Sequence, residues 1–373
     1  MRDPFPFAPV PALSEAVQPL ADRLSFPTLT LHVHEVAGAA LFYTFIHLVV
    51  SPLLSTRLFP TYYPRNSRGK KVNWDAHVVS LVQSTLINSL ALWVMFTDKE
   101  RSSMDWQQRV WGYTGASAMI QALACGYFVW DFITTLLFLD VFGLGLLAHA
   151  ASALAVFSFG FRPFLNYYST VFILYELSTP FLNVHWFFDK LNMTGSRAQL
   201  YNGIALLITF FSCRLVWGTY MSAVVYVDIW SAVRHSPDVG YAALDAAHPN
   251  YFGGDNTTMT DPDANPMAFV VQQGASPIPV WLALVYIGSN IILNSLNWFW
   301  FVKMIAAVRK RFEPVKEAKV GYADAAKGDG SASGAAAAAA AGGEKAELLR
   351  RRRGNSIADV VPDSDELRAG TIQ

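Results

Sequence analysis

The run ILYELSTPFLN, Ile173 to Asn183, sets a carboxylate, two hydroxyls, a proline and an asparagine inside an otherwise apolar stretch. Glu176, Thr179 and Asn183 fall at i, i+3 and i+7, which places them on one face of a helix. Pro180 has no N–H, so a regular helix would leave the carbonyl of Glu176 without its donor. A carboxyl and a free carbonyl on one face are expected to present acceptors to a polar headgroup, a water or a cation. Other apolar stretches carry isolated ionisable groups: Asp131 in GYFVWDFITT, His149 in LLAHAAS and Arg214 in FFSCRLVWG. Either Glu176 or Asp131 would serve as counter-ion for Arg214. Near the end of the apolar sequence, Tyr286, Asn290, Asn294 and Asn297 recur at spacings of four, four and three, a polar stripe along a helix.

These groups are unusual because of what surrounds them. The chain has 373 residues, 53% of them hydrophobic and only 15% charged. The apolar residues gather in blocks of about twenty, the length that crosses a bilayer core. An all-α, polytopic transmembrane helix bundle is therefore expected, with about seven spans near 35–55, 77–97, 114–138, 140–160, 164–183, 202–229 and 278–306. In hydrocarbon an ionisable side chain is costly, so Asp131, His149, Glu176 and Arg214 are candidates for one intramembrane site. The bland alternative is that polar side chains join helices, each contributing about 0.6–2 kcal/mol. For the asparagine stripe the two readings weigh equally.

Charge placement gives an orientation. The first connector, STRLFPTYYPRNSRGKK, carries five basic residues, and Lys190, Arg197, Lys303, Arg309, Lys310 and Arg311 fall on the same side of a seven-span chain. The opposite side has fewer cations near its span ends. The C-terminus is expected in the cytosol and the N-terminus in the lumen. The loop from about 230 to 277 contains NTT at Asn256, a glycosylation acceptor on the lumenal side, whereas NMT at Asn192 lies on the cytosolic side. Residues 1–30 form a lumenal segment, 31–69 the first span and its basic connector, 70–312 the main membrane domain, and 313–373 a low-complexity cytosolic tail expected to be disordered. In that tail Arg351 and Arg353 precede Ser356 at spacings suited to a basophilic kinase, which makes Ser356 a phosphorylation candidate.

Formal net charge is zero and implies no partner. Cys125 and Cys213 both lie in apolar blocks and read as small interior residues. No signal peptide, metal motif, phosphate-cradling loop or nucleic-acid motif stands out, and no cofactor is expected. Membrane lipids are the expected partners; the sequence does not specify an oligomeric state.

From about Lys70 to Arg309 the chain resembles the TLC-domain family, the membrane domain shared by translocation-associated proteins, ceramide synthases and several lipid-homeostasis proteins. The pieces come in family order: KKVNWDAHVVS, GYFVWDF, LLAHAAS, YELSTPFLNVHWFF, Asn202-Gly203, FFSCRLVWG and LNSLNWFWFVKM. The Glu-Leu-Ser-Thr-Pro-Phe-Leu-Asn string is similar to the branch of transmembrane protein 56. Ceramide synthases carry a His-His pair where this chain has His149 flanked by Ala148 and Ala150, and relatives tend to have His at Gln83 and Arg at His77 and His185. The resemblance implies a lipid-homeostasis protein of the endoplasmic reticulum that binds, senses or moves a lipid in a polar cavity. It also supplies an alternative, an acyl-CoA-dependent sphingoid-base N-acyltransferase. In that case His149 backed by Asp131 would be the base, and Arg65, Arg68, Lys70 and Lys71 would hold the CoA phosphates as co-substrate contacts. A transporter is a third reading.

Overall fold

A computed structural model describes residues 1–162, 164–235 and 278–312; Asn256, Ser356 and the tail from 313 lie outside the described residues. The described residues are helical throughout, with no strand among them. A short helix α1 (Pro11–Leu24) leads into α2 (Leu29–Leu58), α3 (Arg68–Thr97), α4 (Trp106–Leu137, interrupted after Trp111) and α5 (Leu139–Phe159). A broken stretch over 166–178 then runs into α6 (Thr179–Lys190), followed by α7 (Arg197–Arg234) and α8 (Val280–Phe312).

Six of these helices, α2 to α5, α7 and α8, are long and apolar enough to cross a membrane. The fifth expected span is a different object. It is built from 3-10 turns at Asn166–Tyr168 and Ile173–Ser178, a single α turn between them, and the regular helix α6. It nevertheless traverses the bundle. Leu165 donates to the Val110 carbonyl and Tyr168 to Asp228 at one end, while Trp186 packs edge-on against Trp74 at the other. Arg68 over Phe138 belongs to that second end. The Thr28 hydroxyl on the Phe161 carbonyl, the bidentate Arg109–Asp228 pair and the Met1 amino group on Asp98 belong to the first.

The polarity of the bundle suits lipid surroundings. Leu41, Phe45, Leu48, Ile208, Leu284 and Trp298 face outward and are exposed. Asp75, Gln83, Ser84, Gln121 and Asp228 are buried. Water-facing helices show the reverse arrangement; here polar side chains gather inside the bundle and apolar ones cover its outside, as hydrocarbon surroundings require. Asp75, for example, accepts from Ser51, Tyr63 and Lys71 where α2 and α3 meet.

Helix irregularities have local causes. Pro52 cannot donate to the carbonyl four residues back, and α2 widens into a π turn at Ile46–Val50 just before it. Gly143 adopts φ 75°, a left-handed conformation that suits glycine, and kinks α5 beside Phe142, which lines the interior together with Leu146.

Cys125 and Cys213 are free and buried, as their apolar settings imply. Asn192 ends α6 with φ 58°, in the left-handed region that asparagine tolerates.

Candidate functional site

The broken stretch is where local chemistry and site meet. Pro180 sits in the first turn of α6, where its missing N–H costs nothing. The segment before it tightens to 3-10 geometry, and the Glu176 carbonyl accepts from the N–H of Thr179. The carbonyl is thus not free, contrary to the expectation from a regular helix. The proline redirects a hydrogen bond and does not vacate one. Pro180 itself shapes the turn without lining the cavity.

Glu176, Thr179 and Asn183 do share one face, and it opens on a cavity of about 170 Å³. A single water needs only about 10–15 Å³ on this scale, so the space suits a larger polar group. Asp131 from α4, His149 from α5 and Arg214 from α7 line the same cavity. Six residues proposed from sequence alone therefore converge, drawn from four segments up to 83 positions apart. Apolar walls come from Trp130, Phe142, Leu146, Phe210, Trp300 and Met304.

Arg214 is fixed before any ligand arrives. It lies in a π turn, Phe211–Trp217, a widening that recurs at functional sites. Its Nε donates to Ser178 Oγ at 3.0 Å, Nη1 to Asn297 Oδ1 at 3.1 Å and Nη2 to Thr179 Oγ1 at 2.9 Å. Nη2 also lies 3.6 Å from Glu176 Oε1, so Glu176 is the counter-ion among the two candidates. Two carboxylates, Asp131 and Glu176, thus face the cavity against one guanidinium that the protein already engages.

The asparagine stripe divides. Asn297 holds Arg214. Asn294 accepts from Tyr175 and donates to Ser222, joining α8 to the broken stretch and to α7, and Asn290 accepts from Tyr226, joining α8 to α7. Asn290 also lines a smaller cavity of about 30 Å³ that shares His149 and Glu176 with the main one. Asn294 and Asn297 do not line the main cavity.

Sequence reading passed over His77 and Ser80 as site residues. His77 Nδ1 donates to Asn183 Oδ1 at 2.7 Å, Asn183 Nδ2 donates to Ser80 Oγ at 3.0 Å, and the imidazole stacks on Trp186 at 4.0 Å. All four residues line the cavity. Asn183→Ala should destabilise the folded protein by about 1–2 kcal/mol, because it leaves a partly buried donor and acceptor unmatched. Thermal unfolding in detergent would register that loss; an unchanged midpoint would show that the cavity edge does not depend on this link.

His149 stands differently. It packs edge-on against Trp300, and its Nδ1 is buried with no hydrogen-bond partner among the described residues. No carboxylate therefore orients the ring from that nitrogen, the arrangement a His general base commonly has.

Comparison with known proteins identifies the domain. The TLC-domain profile matches residues 73–306. An uncharacterized TLC domain-containing protein of Schizosaccharomyces pombe is 34% identical over 315 residues, covering 84% of this chain and 91% of its own. Topoisomerase I damage affected protein 4 of Saccharomyces cerevisiae is 26% identical over 296 residues, 78% of this chain and 88% of its own. TLC domain-containing protein 4 of Homo sapiens is 28% identical over 179 residues, 47% of this chain and 66% of its own. No solved structure matches. A chain matched over most of the helical bundle, with relatives carrying the same domain, belongs to the TLC-domain family.

Proposed function

We propose that the protein acts in membrane lipid homeostasis by binding, sensing or moving a lipid whose headgroup enters the cavity between α3, α4, α6 and α7. The observation that carries this reading is the convergence of Asp131, His149, Glu176, Asn183 and Arg214 on one space in an otherwise apolar bundle. Two carboxylates against one engaged arginine suit an amine-bearing or zwitterionic headgroup. In low-dielectric surroundings such a charge match is worth more than at a water-facing surface. The distribution of basic residues supports a cytosolic C-terminus and a lumenal N-terminus, and the family resemblance favours the endoplasmic reticulum and sphingolipid or related substrates.

The test is quantitative lipid profiling of cells lacking the protein, rescued with wild type or Glu176→Gln. Microsomes from the same cells are assayed in parallel for sphingoid-base acylation. Membrane lipid composition is expected to shift on deletion and to recover with wild type alone, while acylation stays constant. Acylation that falls on deletion and returns only with wild type would replace this reading by the acyl-CoA-dependent N-acyltransferase. Unchanged lipids and unchanged acylation would leave the lipid reading without support.

A further inference from the structure

A second cluster of titratable groups lies away from the cavity, where the N-terminal segment crosses the start of α2. His32 and Glu35, one helical turn apart, project together, and Asp3 reaches them from 29 residues upstream. His32 Nδ1 lies 2.8 Å from Glu35 Oε1 and 3.4 Å from Asp3 Oδ2. Ligand atoms of the three residues all fall within 4.8 Å of one another. His32 is 2% exposed and Glu35 0%.

We propose that Asp3, His32 and Glu35 bind a divalent transition-metal cation of the zinc or manganese class. One imidazole with two carboxylates is a donor set that such ions accept. Metal bonds of about 2.0–2.2 Å in a tetrahedron hold ligand atoms about 3.3–3.5 Å apart. The His32–Asp3 separation already has that value, and the His32–Glu35 hydrogen bond need open by only about half an ångström. The other nitrogen of the ring, Nε2, meets the Tyr113 hydroxyl. Donation from that nitrogen would leave Nδ1 with its lone pair toward the metal, the outer contact that ligating histidines commonly make. His34 Nε2, 3.8 Å from Glu35 Oε1, is engaged by the Phe7 carbonyl and is not needed as a ligand. Binding releases whatever proton the carboxyls and imidazole share. The metal would fasten the N-terminal segment to α2 and, through Tyr113, to the middle of the break in α4. Sequence spacing shows only His-x-x-Glu, two of the three ligands; the third comes from the tertiary fold.

The full-length protein, purified in detergent, would be stripped with chelator, incubated with zinc chloride, desalted and measured for metal content and thermal midpoint. Wild type is expected to retain about one zinc per chain, with a midpoint raised by about 4 °C or more. Asp3→Ala and His32→Gln should each lose at least about nine-tenths of that metal. Asp3 is partly exposed on the N-terminal segment, so Asp3→Ala decides the matter if His32→Gln fails to fold. Manganese giving the same pattern supports the site equally. Retention below about a tenth of an equivalent of either metal, or equal retention by wild type and Asp3→Ala, would overturn it and leave a proton-sharing carboxyl pair bonded to His32.

Discussion

Arg214→Ala is expected to lower the stability of the folded protein by about 3–5 kcal/mol, the usual cost of removing one partner from a buried ion pair. The guanidinium connects Ser178, Thr179, Asn297 and Glu176, which belong to the broken stretch, α6 and α8. Its removal leaves Glu176 buried without its counter-charge and the Asn297 carbonyl oxygen without its donor. Serine and threonine hydroxyls can turn back onto helix carbonyls, so the cost falls mainly on the other two. The double variant Arg214→Met with Glu176→Leu should recover most of the loss, because a buried pair replaced by apolar side chains of similar volume is often neutral. Thermal unfolding of the single and double variants in one detergent makes the comparison. A single variant as stable as wild type, or a double variant no better than the single, would show that the pair does not organise the bundle.

Gly126→Leu should be nearly as damaging, for a steric reason. A Cβ at Gly126 would stand 2.4 Å from the Val36 carbonyl oxygen and 2.7 Å from the Ala39 Cβ. Those atoms belong to α2, and a backbone carbonyl cannot swing aside as a side-chain tip can. Even alanine would force α2 and α4 apart; leucine would separate them further and disturb the packing of Tyr43 against Tyr127. Overpacking of this kind costs about 1–3 kcal/mol and sometimes more, and close approach at small residues is a main source of helix association in lipid. Gly145 and Gly288 are the matched controls, with nothing within 4 Å of an added Cβ. Alanine at either is expected to be neutral or to stabilise its helix by up to about 1 kcal/mol. Gly126→Ala as mild as Gly145→Ala in thermal unfolding would contradict the contact.

Much of the site is legible in the sequence because membrane interiors make polar residues conspicuous. Asp131, His149, Glu176 and Arg214 stand out one by one, and helical spacing joins Thr179 and Asn183 to Glu176. What spacing could not settle was the partner of Arg214, since Asp131 and Glu176 differ only in how α4 and the broken stretch approach α7. His77 escaped notice as a site residue because its partner Asn183 is 106 residues away and its own helix begins in a basic connector. Pro180 marked a lost donor in the sequence, but the change to 3-10 geometry before it, which gives the Glu176 carbonyl the Thr179 N–H instead, did not show there. The asparagines were ambiguous for a physical reason: an amide binds a neighbouring helix and a ligand with the same two groups. Asn290 and Asn294 turn out to hold tyrosines and a serine, whereas Asn297 supports Arg214.

The central claim is that the cavity holds a headgroup bearing a positive charge, and the most direct measurement is the lipid that remains on the protein. Full-length wild type and Asp131→Asn, which keeps the shape and removes one carboxylate charge, would be purified identically, and the retained lipid identified and counted by mass spectrometry. Wild type should carry about one amine-bearing or zwitterionic lipid per chain, enriched over the surrounding membrane. Asp131→Asn should retain it with about tenfold lower affinity, equivalent to about 1.4 kcal/mol. Retained lipid that mirrors the bulk membrane and is indifferent to Asp131→Asn would contradict the account.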